Sequence, residues 1–234
     1  MDVLNQYPSQ LENTYILLTS DHGYHLGQYD VPCAKMQPYE ETIRIPMYLR
    51  GPNIPKKKIS YDMVGNIDIL PTFLSLAGIQ YDDDTYDGRS WTTGLLSASD
   101  VDGADAWNRS VFLTQYQSVG TYGFSHCQTW FPSSNGSVCP GELLNPPETN
   151  PEGEAWLVDD QQTNNWRAIR IMNETMNMVY AEFVNHTWNE NAFEHPQFYE
   201  YYDLNADPFQ LRNAYDTLTQ TVKEELHGTL MQYG

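Results

Sequence analysis

The sequence predicts an α/β protein: a layered region of strands and helices followed by a small antiparallel sheet. Three observations carry that prediction. The apolar run YILLT at 15–19 ends abruptly in polar and glycine residues, as a strand buried on both faces of a parallel sheet does. A second strand candidate, IPMYLR at 45–50, follows after residues 20–44, a length that suits a crossover between parallel strands. Farther along, WRAIRIMN, MNMVYAEF and YEYYDLN are β-branched, aromatic-rich segments with short polar links, the pattern of an antiparallel sheet.

The elements follow in order. PYEETIR offers a short helix inside the first connection, and Gly51 and Pro52 close the second strand. NIDILPTFLSLAGI reads as a helix. Asp68 can cap it, Pro71 falls in the first turn, Leu70, Phe73, Leu74 and Ala77 share a face, and Gly78 stops it. SVFLTQY at 110–116 is a further strand. From 120 to 162 no period persists, and Pro, Ser, Asn and Gly mix with aromatics in a long irregular loop. Its Tyr122, Trp130 and Trp156 either line a sugar-binding wall or pack the loop on itself. DTLTQTVKEELHGTLMQY ends the chain as a helix with Leu218, Val222 and Leu226 on one face and Thr217 and Gln220 at capping-box spacing. The expected divisions are 1–119, the loop 120–165, and 166–234.

The chain has 234 residues, enough for one well-filled core. Its 31 acids against 12 bases give a net charge of −19, which argues against binding nucleic acid or an anionic membrane. No apolar run approaches the roughly 18 residues of a membrane span, and no signal peptide is visible at Met1. Cys33, Cys127 and Cys139 lack C-x-x-C spacing; Cys127 and Cys139 could pair or remain two separate thiols. N-glycosylation sequons stand at Asn108, Asn135, Asn173 and Asn185.

The chemistry concentrates in TSDHGYHLGQY at 19–29. Asp21 offers a hard anionic oxygen and His22 a neutral nitrogen at a strand end, the edge at which open α/β sheets bind ligands. Gly23 lets the backbone turn away. The plainer alternative has Asp21 capping the turn while His22 and His25 satisfy local carbonyls. Lys35, in PCAKMQPYEE, is a cation in a chain short of cations.

The stretch TSDHGYHLGQYDVPCAKMQPYEETIRIPMYLRGPNI closely resembles the sulfatases, in particular the N-acetylglucosamine-6-sulfatase type. The resemblance continues through VGNIDILPTFLSLAGI, YDGRSWTTGLL, FLTQY and EYYDLNADPFQLRNAY, and so covers nearly the whole chain. It implies an alkaline-phosphatase-like α/β fold: the C-terminal part of a parallel-sheet domain plus a small antiparallel-sheet α+β subdomain. It implies that Asp21 and His22 coordinate one calcium ion. Many members carry Asn at the second position, so His22 leaves the metal's identity open. Lys35 matches the lysine that contacts the sulfate and neutralises charge as the S–O bond breaks. His25 would touch substrate or donate a proton. The implied substrate is a sulfated glycan such as N-acetylglucosamine 6-sulfate in glycosaminoglycans, and the implied placement is lysosomal, secreted or cell-surface.

The pattern also has departures. Family members attack sulfur with a formylglycine made from Cys in C-x-P-x-R, but here the cysteines are followed by AKMQ, QTWF and PGEL. No Asp-Asp pair after a strand precedes Asp21, and Met1 aligns with the middle of the family pattern. The chain is therefore expected to be a C-terminal portion with an incomplete metal site and no turnover of its own. Two alternatives stand beside this: a two-zinc phosphodiesterase of the same superfamily, and a non-catalytic glycan-binding or interaction module. The exact glycan and the oligomeric state are not legible in the residues.

Overall fold

In the computed structural model, which describes residues 6–31, 35–96, 107–118, 164–184 and 192–233, strand β1 (Ile16–Thr19) pairs antiparallel with β2 (Met47–Arg50). The register sets Ile16 opposite Arg50 and Thr19 opposite Met47. This corrects the parallel crossover expected from the sequence. The only described α-helix in the connection is α2 (Glu40–Ile43), a single turn. The pair is also only half-buried, with Leu18 65% and Tyr48 66% exposed, so an unbroken apolar run did not mark burial on both faces.

The chain forms two units, Met1–Asp21 with Ile45–Phe112, and His22–Arg44 with Leu113–Gly234. The segment 22–44 clusters with the C-terminal sheet.

The first unit holds α1 (Pro8–Leu11), β1, β2, α3 (Ile69–Leu76) and α4 (Thr92–Leu96). A 3-10 turn, Asn66–Asp68, leads into α3. Asp68 does not cap the helix. Its buried carboxylate reaches back to the Gly65 N–H (2.7 Å), accepts from the Arg89 N–H (2.9 Å), and forms a two-pronged ion pair with Arg109. Pro71 and Thr72 are the buried residues of α3, and the Thr72 hydroxyl accepts from the buried Trp91 N–H at 3.1 Å. Gly78, at φ +69°, ends the helix where an L side chain would be strained, and the Ile79 N–H closes on the Leu74 carbonyl at 2.9 Å. The Trp107 ring carries Arg89 at 4.4 Å and Arg109 at 4.9 Å, and its N–H donates to the Met63 carbonyl.

The second unit is a four-stranded sheet in the order β3 (Val111–Tyr116), β4 (Asn165–Met172), β5 (Asn177–Val184), β6 (Phe198–Asp203). The β4–β5 and β5–β6 pairs are antiparallel, as the three segments predicted. Central β5 is the core: Val179, Tyr180 and Ala181 are fully buried. Helix α5 (Gln220–Tyr233) contributes buried Leu226 and Leu230. It begins after Thr219, whose hydroxyl accepts from the Val222 N–H at 3.4 Å, while the Thr217 hydroxyl donates to the Ala214 carbonyl. The capping role thus falls two residues later than the spacing suggested.

Residues 36–43 are fastened to this sheet. The Met36 carbonyl accepts from the Trp166 indole (2.8 Å), Arg170 pairs with Glu40 (3.0 Å), and Tyr39 and Ile43 pack on Val179, Tyr202 and Leu204. The loop 120–162, with its three candidate aromatics, and all three cysteines lie outside the described residues.

Candidate active site

Each end of the DHG turn is anchored by its own unit. In the first, the Asn66 side-chain amide donates to the Ser20 carbonyl (3.2 Å) and the Asp21 carbonyl (3.1 Å), which ties the end of β1 to the turn before α3. The Ser20 hydroxyl donates to the exposed Asp21 carboxylate at 3.3 Å. Asn66 was not singled out in the sequence; its position just before a helix start is the only signal that could have marked it.

In the second unit, the Gly23 N–H donates to the Thr42 carbonyl at 2.7 Å. A Cβ on Gly23 would lie 1.7 Å from the Glu41 carbonyl oxygen, so glycine is required for this close approach and not merely for a turn. His22 lies with Nδ1 2.7 Å from the Gly23 carbonyl. A carbonyl only accepts, so the proton sits on Nδ1 and Nε2 is left as an acceptor. That Nε2 meets Nζ of Lys35. The fold therefore brings together two of the residues singled out in sequence, and the ammonium becomes the donor.

His25 is placed differently. It is 1% exposed, stacked on Tyr39 (centroids 5.8 Å apart), with Nε2 2.9 Å from the Thr42 hydroxyl and Nδ1 without a partner. Burial lowers its pKa, with Glu41 pulling partway back, so the ring is neutral at physiological pH. His25 lines a cavity of about 290 Å³ together with Tyr29, Tyr39, Tyr202, Phe209 and Gln210. These residues come from segments too far apart in sequence for any local pattern to have joined them.

Calcium takes six to eight oxygen donors. Asp21 supplies one carboxylate, and the His22 Nε2 that could face a metal already receives the Lys35 proton. Among the described residues no group of three or more His, Cys, Asp or Glu could hold a metal ion. The described residues do not by themselves fit a resident calcium.

The fold is the alkaline-phosphatase-like α/β fold. BT4656, solved in complex with its substrate D-glucosamine-2-N,6-O-disulfate, superposes with a TM-score of 0.61 at 21% identity over 99% of this chain and 36% of that one. The phosphonate monoester hydrolase SpPMH from Silicibacter pomeroyi gives 0.61 at 16% identity over 98% and 36%. These likenesses concern the fold alone.

Sequence relatives narrow the class. Residues 2–79 match the sulfatase family model. The chain is 32% identical over 225 residues to the N-acetylglucosamine-6-sulfatases of Bos taurus and Homo sapiens, which covers 96% of this chain. It is 46% identical over 88 residues to the extracellular sulfatase SULF-1 homolog of Drosophila melanogaster, over 38% of this chain and 8% of that protein. This chain belongs to the sulfatase family. It spans about a third of the length of the N-acetylglucosamine-6-sulfatases it matches.

Proposed function

We propose that this chain carries the sulfate-recognising part of a sulfate ester hydrolase acting on 6-O-sulfated N-acetylglucosamine units of glycosaminoglycans. The contact between Lys35 and His22 supports this best. His22, oriented by the Gly23 carbonyl, accepts one N–H of the ammonium and so aims the other two. A positioned cation lowers the barrier by neutralising the charge that grows on the sulfuryl and departing oxygens as the S–O bond breaks. Phosphonate hydrolases share the fold, but the lysine within the matching family stretch favours the sulfate reading. The nucleophile is not supplied here, since none of the three cysteines opens a C-x-P-x-R motif.

Calorimetry with N-acetylglucosamine 6-sulfate tests the reading. Lys35→Ala is expected to weaken binding about ten-fold or more, and equal affinity in both proteins would refute the assignment. With p-nitrophenyl sulfate the 234-residue chain is expected to show no turnover above Lys35→Ala. Turnover above that background would mean that a nucleophile is present after all.

We further propose Asp21 as one donor of an incomplete calcium shell, which His22 joins only when Lys35 leaves its Nε2, and no catalytic step is routed through it. Millimolar calcium is accordingly expected to leave the melting temperature unchanged, because only binding tighter than the ligand concentration stabilises. A saturable rise would show that the shell closes within this chain.

Lysosomal, secreted or cell-surface placement is proposed from the same family. No described helix is long and apolar enough to cross a membrane. Of the sequons, Asn173 is set out in the exposed β4–β5 turn, where its side-chain oxygen accepts from the N–H and hydroxyl of Thr175 at 2.9 and 3.0 Å. Secretory expression is expected to add a glycan there, read as a mass decrease on peptide-N-glycosidase treatment that Asn173→Gln diminishes. An unchanged decrease in that variant would exclude the site.

A further inference from the structure

We propose that the cavity of the second unit is a subsite for an uncharged pyranose ring of the glycan. The proposal rests on the sulfate reading above, because the loop that ends in the His22–Lys35 contact also supplies Tyr29 to the cavity wall.

The volume, about 290 Å³, lies at the small end of ligand cavities and suits a single ring. Its walls are aromatic. Tyr29 and Phe209 have centroids 5.7 Å apart and are 49% and 56% exposed, which leaves stacking faces open to solvent. Such faces suit the apolar C–H side of a sugar, while polar groups between them meet its hydroxyls.

Two unpaired polar groups belong to residues of that wall. Nε2 of Gln210 and Nδ1 of His25 are buried without a hydrogen-bond partner. Leaving such a group unpaired is costly, so a buried orphan calls for an explanation. Both are already oriented at their other end. Oε1 of Gln210 accepts the Glu40 N–H at 2.7 Å, and Nε2 of His25 meets the Thr42 hydroxyl at 2.9 Å. Both unpaired atoms are sealed at rest, so a small opening of the wall is what brings them to a ligand.

The backbone points the same way. Four described non-glycine residues have left-handed φ, and two of them, Tyr29 (57°) and Gln210 (54°), line this cavity. Strained residues of this kind gather at ligand clamps. Charge then selects the ligand. No lysine or arginine lines the described wall, and Glu41 places a carboxylate on it. Sulfated and uronate rings are disfavoured, and a neutral ring such as N-acetylglucosamine is accepted.

The test is titration of the 234-residue chain by ligand-observed NMR with methyl β-N-acetylglucosaminide and with methyl β-glucuronide. The neutral glycoside is expected to bind, with affinity about five-fold lower in Phe209→Ala and Tyr29→Ala. Gln210→Glu, which keeps the oxygen on the Glu40 N–H but removes the free donor, is expected to weaken it similarly. The glucuronide should bind about ten-fold more weakly. No binding of the neutral glycoside, equal affinity for the two glycosides, or indifference to both aromatic variants would overturn the subsite. These outcomes are independent of whether Lys35→Ala abolishes binding of N-acetylglucosamine 6-sulfate, so either reading can fail alone.

Discussion

Arg109→Ala is expected to destabilise the first unit by about 3–5 kcal/mol, a large part of the 5–15 kcal/mol typical of a domain. The partner of Arg109, Asp68, is fully buried, and its two oxygens are shared among Arg109, the Gly65 N–H and the Arg89 N–H. Removing the guanidinium leaves a buried carboxylate with two neutral donors and no counter-charge. The side chain also stacks on Trp107 at 4.9 Å and Phe112 at 5.0 Å, so some of the loss is packing. Urea denaturation of Arg109→Ala, Asp68→Asn and the double variant separates the two. The double variant should lose less than the sum, because a buried unpaired charge is worse than none. A single-variant loss below about 1 kcal/mol would show that the pair is not what holds this unit.

Glu200→Gln is expected to stabilise the second unit at pH 8 by up to about 3 kcal/mol and to leave it unchanged below pH 4.5. Burial lifts the Glu200 carboxyl from its ordinary value of 4.5 to about 7, and hydrogen bonds from Tyr39 and Tyr202 pull only partway back. The folded chain therefore holds a proton that the unfolded chain releases from pH 4.5 upward. The stability this contributes is complete below 4.5 and lost as pH rises through 7. Gln is neutral throughout and abolishes that slope. His25 acts in the opposite sense, since burial lowers its pKa and stability falls as pH drops below its ordinary value of 6.5. The comparison of Glu200→Gln with the parent cancels that contribution. Parallel stability curves for the two proteins between pH 5 and 8 would contradict the assignment.

The three C-terminal strands could be read directly from the residues. Trp166, Ile169, Val179 and Tyr202 lie in segments rich in branched and aromatic side chains, and such segments need a sheet to bury them. Helix α3 was legible for a similar local reason, with its stop at Gly78 recorded in a single residue. Asp68 looked like a helix cap because the helix-start signal is local. Its larger role depends on Arg109, which reaches it from the far side of a long connection.

The candidate site divides along the same line. Asp21 and His22 stood out because their chemical types are unusual at the end of an apolar run, and Lys35 because cations are scarce in this chain. The sequence by itself determined the family and the three-stranded antiparallel sheet, and it singled out Lys35 as the proposed sulfate contact, because those depend on residue identity and on short-range pattern. Only the tertiary structure decided that β1 and β2 run antiparallel, that His25 is sealed against Tyr39 while Lys35 reaches His22, and that Tyr29 and Phe209 share one cavity. These are contacts between residues distant in the chain, and no local preference specifies which distant partners will meet.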